Sequence, residues 1–313
     1  MYRRHPTTSL RPVTRSYALL IGSLAAIWGA SYLFIKVAVR DFPPAAMIEI
    51  RLGGAGIVLA VFLILQLGRR AAFAELRATG WAGFAIGIVN GAIPFTLIAW
   101  GEQHIDSGIA AVANSTVPIF NALLVPWLLP SERLSRRRLV GVLVGFAGVT
   151  VLTLGQPAVG WWFVAGTMAV VVASLSYALG GILAQQSLGS VRGPALAAAS
   201  MLGGAVALLP LALVDLPDHA PGWKSVASLA ALTLAGTVLA QLILFRTIRL
   251  HGSARTSLVT YLMPPAALVY GAILLGEPIT VASVGGLALI MVGVALGSGV
   301  LTLVRRRAAI QEP

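Results

Sequence analysis

Lys and Arg are sorted along this chain. Ten apolar stretches divide it, and 18 of its 22 basic residues fall in alternate gaps or in the two tails. A soluble fold has no use for such sorting. A chain that crosses a bilayer repeatedly does, because Lys and Arg are retained on the cytoplasmic side. Spans are expected at residues 17–39, 44–67, 80–100, 107–129, 139–155, 161–184, 195–214, 225–245, 256–275 and 281–303. Several reach the roughly 20 residues that cross a hydrocarbon core of about 30 Å. Only 10% of the 313 residues are charged and 58% are hydrophobic, whereas an ordinary soluble domain is about 25% charged.

The fold class expected is therefore an all-α polytopic membrane protein with ten transmembrane helices, both termini cytoplasmic (N-in, C-in). The cytoplasmic segments then hold Arg3, Arg4, Arg11, Arg15, Arg69, Arg70, Arg77, Arg133, Arg136–Arg138, Arg192, Arg246, Arg249, Arg255 and Arg305–Arg307. The outer loops hold Arg40 and Lys224. Most acids, Asp41, Glu102, Asp106, Asp215, Asp218 and Glu277, fall in the outer loops, and Glu49 is the one acid expected inside a span. Residues 1–16 and 304–313 are expected as cytoplasmic tails. The first tail is basic and precedes more than 20 apolar residues, too long a run for a cleaved signal peptide. The net charge of +12 is explained by topology. Without a basic stripe interleaved with aromatics, it does not indicate nucleic acid. With no cysteine, disulfides, thiolate metal sites and thiol catalysis are excluded.

A repeat is also visible. Residues 107–132, SGIAAVANSTVPIFNALLVPWLLPSE, align with 252–277, GSARTSLVTYLMPPAALVYGAILLGE, at an offset of about 145 residues. Each is followed by a Gly-rich span. The repeat unit is then five spans, 17–155 and 161–303. An odd number of spans inverts the second copy. Inverted repeats build carriers with a substrate site between the halves, near the bilayer midplane.

Several stretches carry a family likeness: WGASYLFIKVA (28–38), IPFTLIAWGEQHIDSGIAAVANSTVPIFNALL (93–124), ASLSYALGGILAQQ (173–186) and LFRTIRLHGSARTSLVTYLMPPAALVYGAILLGEPIT (244–280). In this order and spacing the chain resembles the drug/metabolite transporter superfamily, in particular its bacterial EamA-type exporters. The resemblance implies ten helices in two inverted five-helix repeats, no cofactor, and export of amino acids, other metabolites or drugs. Many members have an aromatic residue where Gln241 stands, so a relative's substrate need not carry over.

Ionisable groups inside a bilayer are the first place to look for function. Three are expected there: Lys36, Glu49 and Arg51, near the outer ends of spans one and two. They form either an outer gate or anion site, or an ion pair of Glu49 with Lys36 or Arg51. No His or Asp lies mid-span, which weakens a proton relay through a buried acid and leaves facilitated diffusion open. A deep cluster of Lys and Arg is missing too, which disfavours a multiply anionic substrate.

Uncharged groups are left to bind substrate. Trp28, Asn90, Asn121, Ser174 and Thr237 are expected near mid-depth. Asn114, Trp100 and Trp162 lie toward the outside, and Tyr177, Gln241 and Tyr261 toward the inside. Amides offer hydrogen bonds and indoles a flat wall. The structural alternatives are interfacial aromatics for the tryptophans and interhelical hydrogen bonding for the amides. Pro94, Pro118, Pro264 and Pro265 interrupt spans, as hinges or as static kinks. Gly141, Gly145 and Gly148, with Gly286, Gly293 and Gly297, make flat faces for helix packing or a dimer contact.

The reading is an inner-membrane exporter of small metabolites, amino acids first among them and neutral or aromatic ones in particular, working by alternating access, with the lipid bilayer and a small molecule as partners. It has no cofactor and no metal, and is a monomer or weak homodimer. Multidrug efflux of amphipathic cations is the alternative. A lipid-binding scaffold and an intramembrane enzyme, which would need converging catalytic groups, are remote.

Overall fold

The computed structural model describes residues 15–128, 136–156, 160–187, 191–251, 256 and 259–297. The expected tails, apart from Arg15 and Ser16, lie outside them. So do Arg133, Arg255, Arg305–Arg307 and Glu132. Among the described residues every regular element is helical. The helices are α1 (Arg15–Ala38), α2 (Pro44–Leu67), α3 (Arg69–Gly87), α4 (Ile93–Glu102), α5 (Ser107–Asn114), α6 (Val117–Leu128), α7 (Arg136–Leu154), α8 (Trp161–Ser187), α9 (Gly193–Val214), α10 (Trp223–Ala231), α11 (Ala240–His251), α12 (Val259–Tyr270) and α13 (Val281–Gly297). Wide π turns occupy Ile88–Ala92, Leu232–Leu239 and Gly271–Leu275. Seven helical runs are long and apolar enough to cross a membrane, and three shorter apolar ones cover Leu139–Leu154, Val259–Leu275 and Val281–Leu296.

Local chemistry sets the breaks. Proline opens α2 and α9, where its missing N–H is not needed and its fixed φ suits the first turn. Residues 68–79, read from sequence as a loop, are mostly helical: α3 starts at Arg69 and breaks only at Gly80, with φ 53° and ψ −142°. A side chain would strain that backbone, so glycine marks the boundary between a charged surface helix and the span that follows. Pro94 is the second residue of α4, directly after the π turn at Ile88–Ala92, so the widened turn absorbs the missing donor. Span four is two helices, α5 and α6, meeting at Ser115–Thr116. Pro118 starts α6, whereas Pro264 and Pro265 sit inside α12.

Packing follows a paired pattern. α2 lies along α9, and α7 along α13. α1 packs on α12, and α8 on α5 and α6. The α7–α13 contact is backbone-close. A Cβ on Gly148 would lie 2.8 Å from Ile290 N, and one on Gly293 would lie 2.6 Å from Gly141 O. Glycines of both helices are therefore used for packing within the chain. Large apolar side chains cover the exterior; Leu65, Val214 and Val281 are each at least 80% exposed. Exposed apolar surface on this scale is foreign to a water-soluble monomer and suits lipid, so the fold is that of a polytopic membrane protein.

Candidate substrate cavity

A cavity of about 280 Å³ lies among α1, α2, α4–α6, α8, α9, α11 and α12. It draws on both sequence repeats. α1 presents Trp28, Ser31, Tyr32 and Ile35 to it, one stripe at helical spacing. α11 and the π turn before it present Gly236, Thr237, Gln241 and Leu244.

Among the described residues Arg51 is the one Asp, Glu, Lys, Arg or His in the wall. It is 5% exposed. Its Nε donates to Thr237 Oγ1 at 2.9 Å, and its guanidinium lies 3.8 Å from the centroid of the Phe95 ring. Phe95 in turn leans on Tyr177, with centroids 6.0 Å apart. The aromatic face and the hydroxyl thus hold the cation in one orientation.

A second polar cluster forms the opposite part of the wall. Asn114 ends α5. Its Nδ2 donates to Tyr32 Oη at 2.7 Å, and its Oδ1 accepts from Ser174 Oγ at 3.0 Å. Ser174 does not line the cavity; it holds Asn114 from behind.

Three wall residues stand on π turns, Asn90, Gly236 and Thr237. Thr237 Oγ1 donates to Leu232 O, five residues back, at 3.1 Å. Such turns displace side chains from the helical register and recur at functional sites. Asn90 is seated against Gly180, where a Cβ would come within 2.5 Å of the Asn90 Cβ.

Of the eleven residues expected to bind substrate, Trp28, Asn90, Asn114, Tyr177, Thr237 and Gln241 line the cavity, together with Pro118. Trp100, Trp162, Asn121 and Tyr261 do not. Trp162 is 60% exposed and stacks on His104 at 5.0 Å, with Trp100 edge-on to His104 at 4.7 Å. This aromatic cluster sits where α4 ends and α8 begins. Trp100 borders a separate shallow pocket with Asp41, Gln103 and His219. Asn121 and Tyr261 are half-buried on the helices beside the wall. Sequence reasoning passed over Ser31, Tyr32, Phe95 and Met201. Tyr32 was legible at one helical turn from Trp28; Phe95 was not, because the π turn shifts its register.

The expected ion pair of Glu49 with Lys36 or Arg51 is corrected. Lys36 Nζ donates to the carbonyls of Glu102 and Ile105, each at 2.7 Å, where a cation satisfies the C-terminal carbonyls of α4. Arg51 takes Thr237 and Phe95. Among the described residues Glu49 has no ion pair. Glu102, read from sequence as an outer-loop acid, is instead fully buried, and neither carboxyl oxygen has a hydrogen-bond partner.

The end of the bundle that carries the α1–α2 turn is laced across the repeats. The Glu277 carboxylate accepts Ser107 N–H at 2.9 Å, Ser107 Oγ–H at 2.7 Å and Gly108 N–H at 3.2 Å. It thereby caps α5, a role that the preceding Asp106 leaves open. Asp41 Oδ2 accepts Gly222 N–H at 2.8 Å, and Ser225 Oγ donates to Val37 O at 3.2 Å. The Gly222 N–H, then Ser225, hold the Asp41 carboxyl below its ordinary range. Partial burial, then the Glu277 charge, push Asp106 upward against the pull of Lys36.

The structure is a bundle of apolar helices around an internal cavity with polar and aromatic side chains in its wall. The sequence pattern of the EamA-like transporter family fits twice, over residues 15–154 and 164–299, and the chain belongs to that family, within the drug/metabolite transporter superfamily. It is similar to an uncharacterized transporter of Archaeoglobus fulgidus, 26% identical over 88% of this chain and 96% of that one. The uncharacterized inner membrane transporter YedA of Escherichia coli strain K12 is 27% identical over 83% and 84%. A probable amino-acid metabolite efflux pump of Salmonella typhimurium is 25% identical over 90% and 94%. A crystal structure 19% identical in sequence superposes with a TM-score of 0.66, covering 94% of this chain and 98% of that one, and it shares the fold.

Proposed function

We propose that this transporter exports small metabolites of the amino-acid class across a bacterial inner membrane by alternating access. The carrying observation is a polar and aromatic cavity of about 280 Å³ lined by both repeats. That volume is at the low end of small-molecule pockets, about 300–1,000 Å³, and favours an amino acid over a bulky drug. The name of the Salmonella typhimurium relative points the same way. Among the described residues the wall has one cation and no acid, which speaks against the alternative of cationic drugs.

The ten-span, N-in and C-in arrangement with two inverted five-helix repeats, 17–155 and 161–303, belongs to the same reading. The exchanged packing supports it: α1 on α12 matches α8 on α5 and α6, while α2–α9 and α7–α13 pair equivalent helices. Residues 1–16 and 304–313 are then the cytoplasmic tails. The laced α1–α2 end is the outer side. The wall runs from Ile35 and Ile98 near that end to Leu244 and Thr260 toward the other, the depth that a carrier opening to each side in turn requires. Pro118, Pro264 and Pro265 would bend the helices between states, with Pro94 beside the cavity.

Counterflow in proteoliposomes tests the reading. Vesicles preloaded with neutral and aromatic amino acids should accumulate labelled substrate in the presence of the protein. No counterflow with any member of a broad amino-acid panel would overturn it.

A further inference from the structure

Arg51 sits in the cavity wall with no ion pair among the described residues, and the buried Glu102 carboxyl acts on it only through space. Among the described residues its one hydrogen bond is Nε to Thr237 Oγ1, so the terminal amino groups of the guanidinium have no protein acceptor. One face is covered by Phe95. Among the described residues no Asp or Glu lines the cavity. A guanidinium stays protonated in proteins, and its terminal amino groups, without a protein acceptor, face the cavity. This side chain is therefore built to receive an anion from the cavity. Its free edge presents parallel N–H donors, the fork that matches a carboxylate bidentately. A single cation balances a single negative charge.

We propose that Arg51 is the carboxylate clamp of the transporter, and that the substrate is recognised as a monocarboxylate. This rests on the small-metabolite reading above and narrows it. The carboxylate docks on the edge of Arg51 left free by Thr237, and the rest of the molecule lies toward Trp28, Tyr32 and Tyr177. The α-amino group contributes little. Among the described residues the wall has no acid to hold it, and neutral acceptors such as the amide oxygens of Asn90 and Gln241 supply no countercharge.

The test is binding to purified protein, read as ligand-induced thermal stabilisation, with four relatives of one aromatic amino acid as probes. They are the amino acid itself, its primary amide, its decarboxylated amine and its des-amino acid. The acid and the des-amino acid should bind with similar affinity. The amide and the amine should bind about 10- to 100-fold more weakly, the range expected when hydrogen bonds to a charged group are lost. Arg51→Gln should abolish the preference for acids, and Arg51→Lys, a point charge without the fork, should retain part of it. Equal binding of amide and acid by the native protein would overturn the clamp, as would a native protein stabilised by no carboxylate. The native ligand series decides even where Arg51→Gln does not fold. Carboxylate-selective binding without counterflow would sink the transport reading and leave the clamp standing. Counterflow without carboxylate selectivity would do the reverse.

Discussion

Arg51 and Thr237 are 186 positions apart and are joined by a 2.9 Å hydrogen bond from Nε to Oγ1 in the wall of the cavity. One residue comes from each of the two segments that match the family pattern. Thr237 occupies a π turn, so a local irregularity in the second segment orients the one cation contributed by the first.

Thr237→Val keeps the shape and removes the acceptor. A buried donor left unsatisfied costs about 1–3 kcal/mol. The variant should melt lower by that order in detergent, and its KM for substrate should rise several-fold, because the guanidinium is no longer held. Thr237→Ser should restore both.

Gly180→Ala places a methyl against Asn90, with a Cβ–Cβ separation of 2.5 Å, whereas nothing lies within 4 Å of a Cβ on Gly181. Overpacking of this kind costs about 1–3 kcal/mol. Thermal unfolding should show Gly180→Ala destabilised and Gly181→Ala close to native. Transport should fall in the first variant alone, since Asn90 lines the cavity.

Trp28 lines the cavity and Trp162 does not. Counterflow kinetics should show a raised KM for Trp28→Ala and an unchanged KM for Trp162→Ala. A raised KM for Trp162→Ala would return the α4–α8 aromatic cluster to the substrate path.

Asp41 ties the α1–α2 turn to Gly222, and the bond holds its carboxyl below the ordinary 3.8. A depressed folded-state value contributes stability that is present above the unfolded value and lost as pH falls through the folded one. Melting temperatures compared across about pH 3–6 should show the native protein above Asp41→Asn near pH 6. The gap should close below about pH 4, where the unfolded carboxyl is protonated and the folded one follows.

Glu102 is buried with both carboxyl oxygens unpartnered. The isosteric amide of Glu102→Gln keeps the shape and removes an ionisable group buried without a hydrogen-bond partner. Its melting temperature should equal or exceed that of the native protein. Lys36→Met, which removes two hydrogen bonds to the end of α4, should lower it.

Much of the cavity was legible because it is periodic. Trp28 leads to Ser31, Tyr32 and Ile35 at helical spacing, and Thr237 leads to Gln241 and Leu244. The miss at Phe95 has a physical origin. A π turn over Ile88–Ala92 inserts an extra residue, and apolar sequence carries no mark of it beyond the nearby Pro94. Trp100 and Trp162 were misplaced because an indole suits both a binding wall and an interfacial belt, and spacing alone does not separate them. Glu102 was misassigned because a helix end beside a polar loop reads as exposed, while Lys36 and α5 cover it.

The sequence by itself determined the solvent and the family. Hydrophobic length and sorted charge are set by the bilayer and the insertion machinery, which act on the chain residue by residue, and the motifs of the EamA-like family are written along it. Only the tertiary structure decided which polar groups meet. Arg51 could be paired with Glu49 on grounds of proximity along a helix. Its actual partners, Thr237 and Phe95, arrive from other helices, and the energy of a buried charge depends on what surrounds it in space.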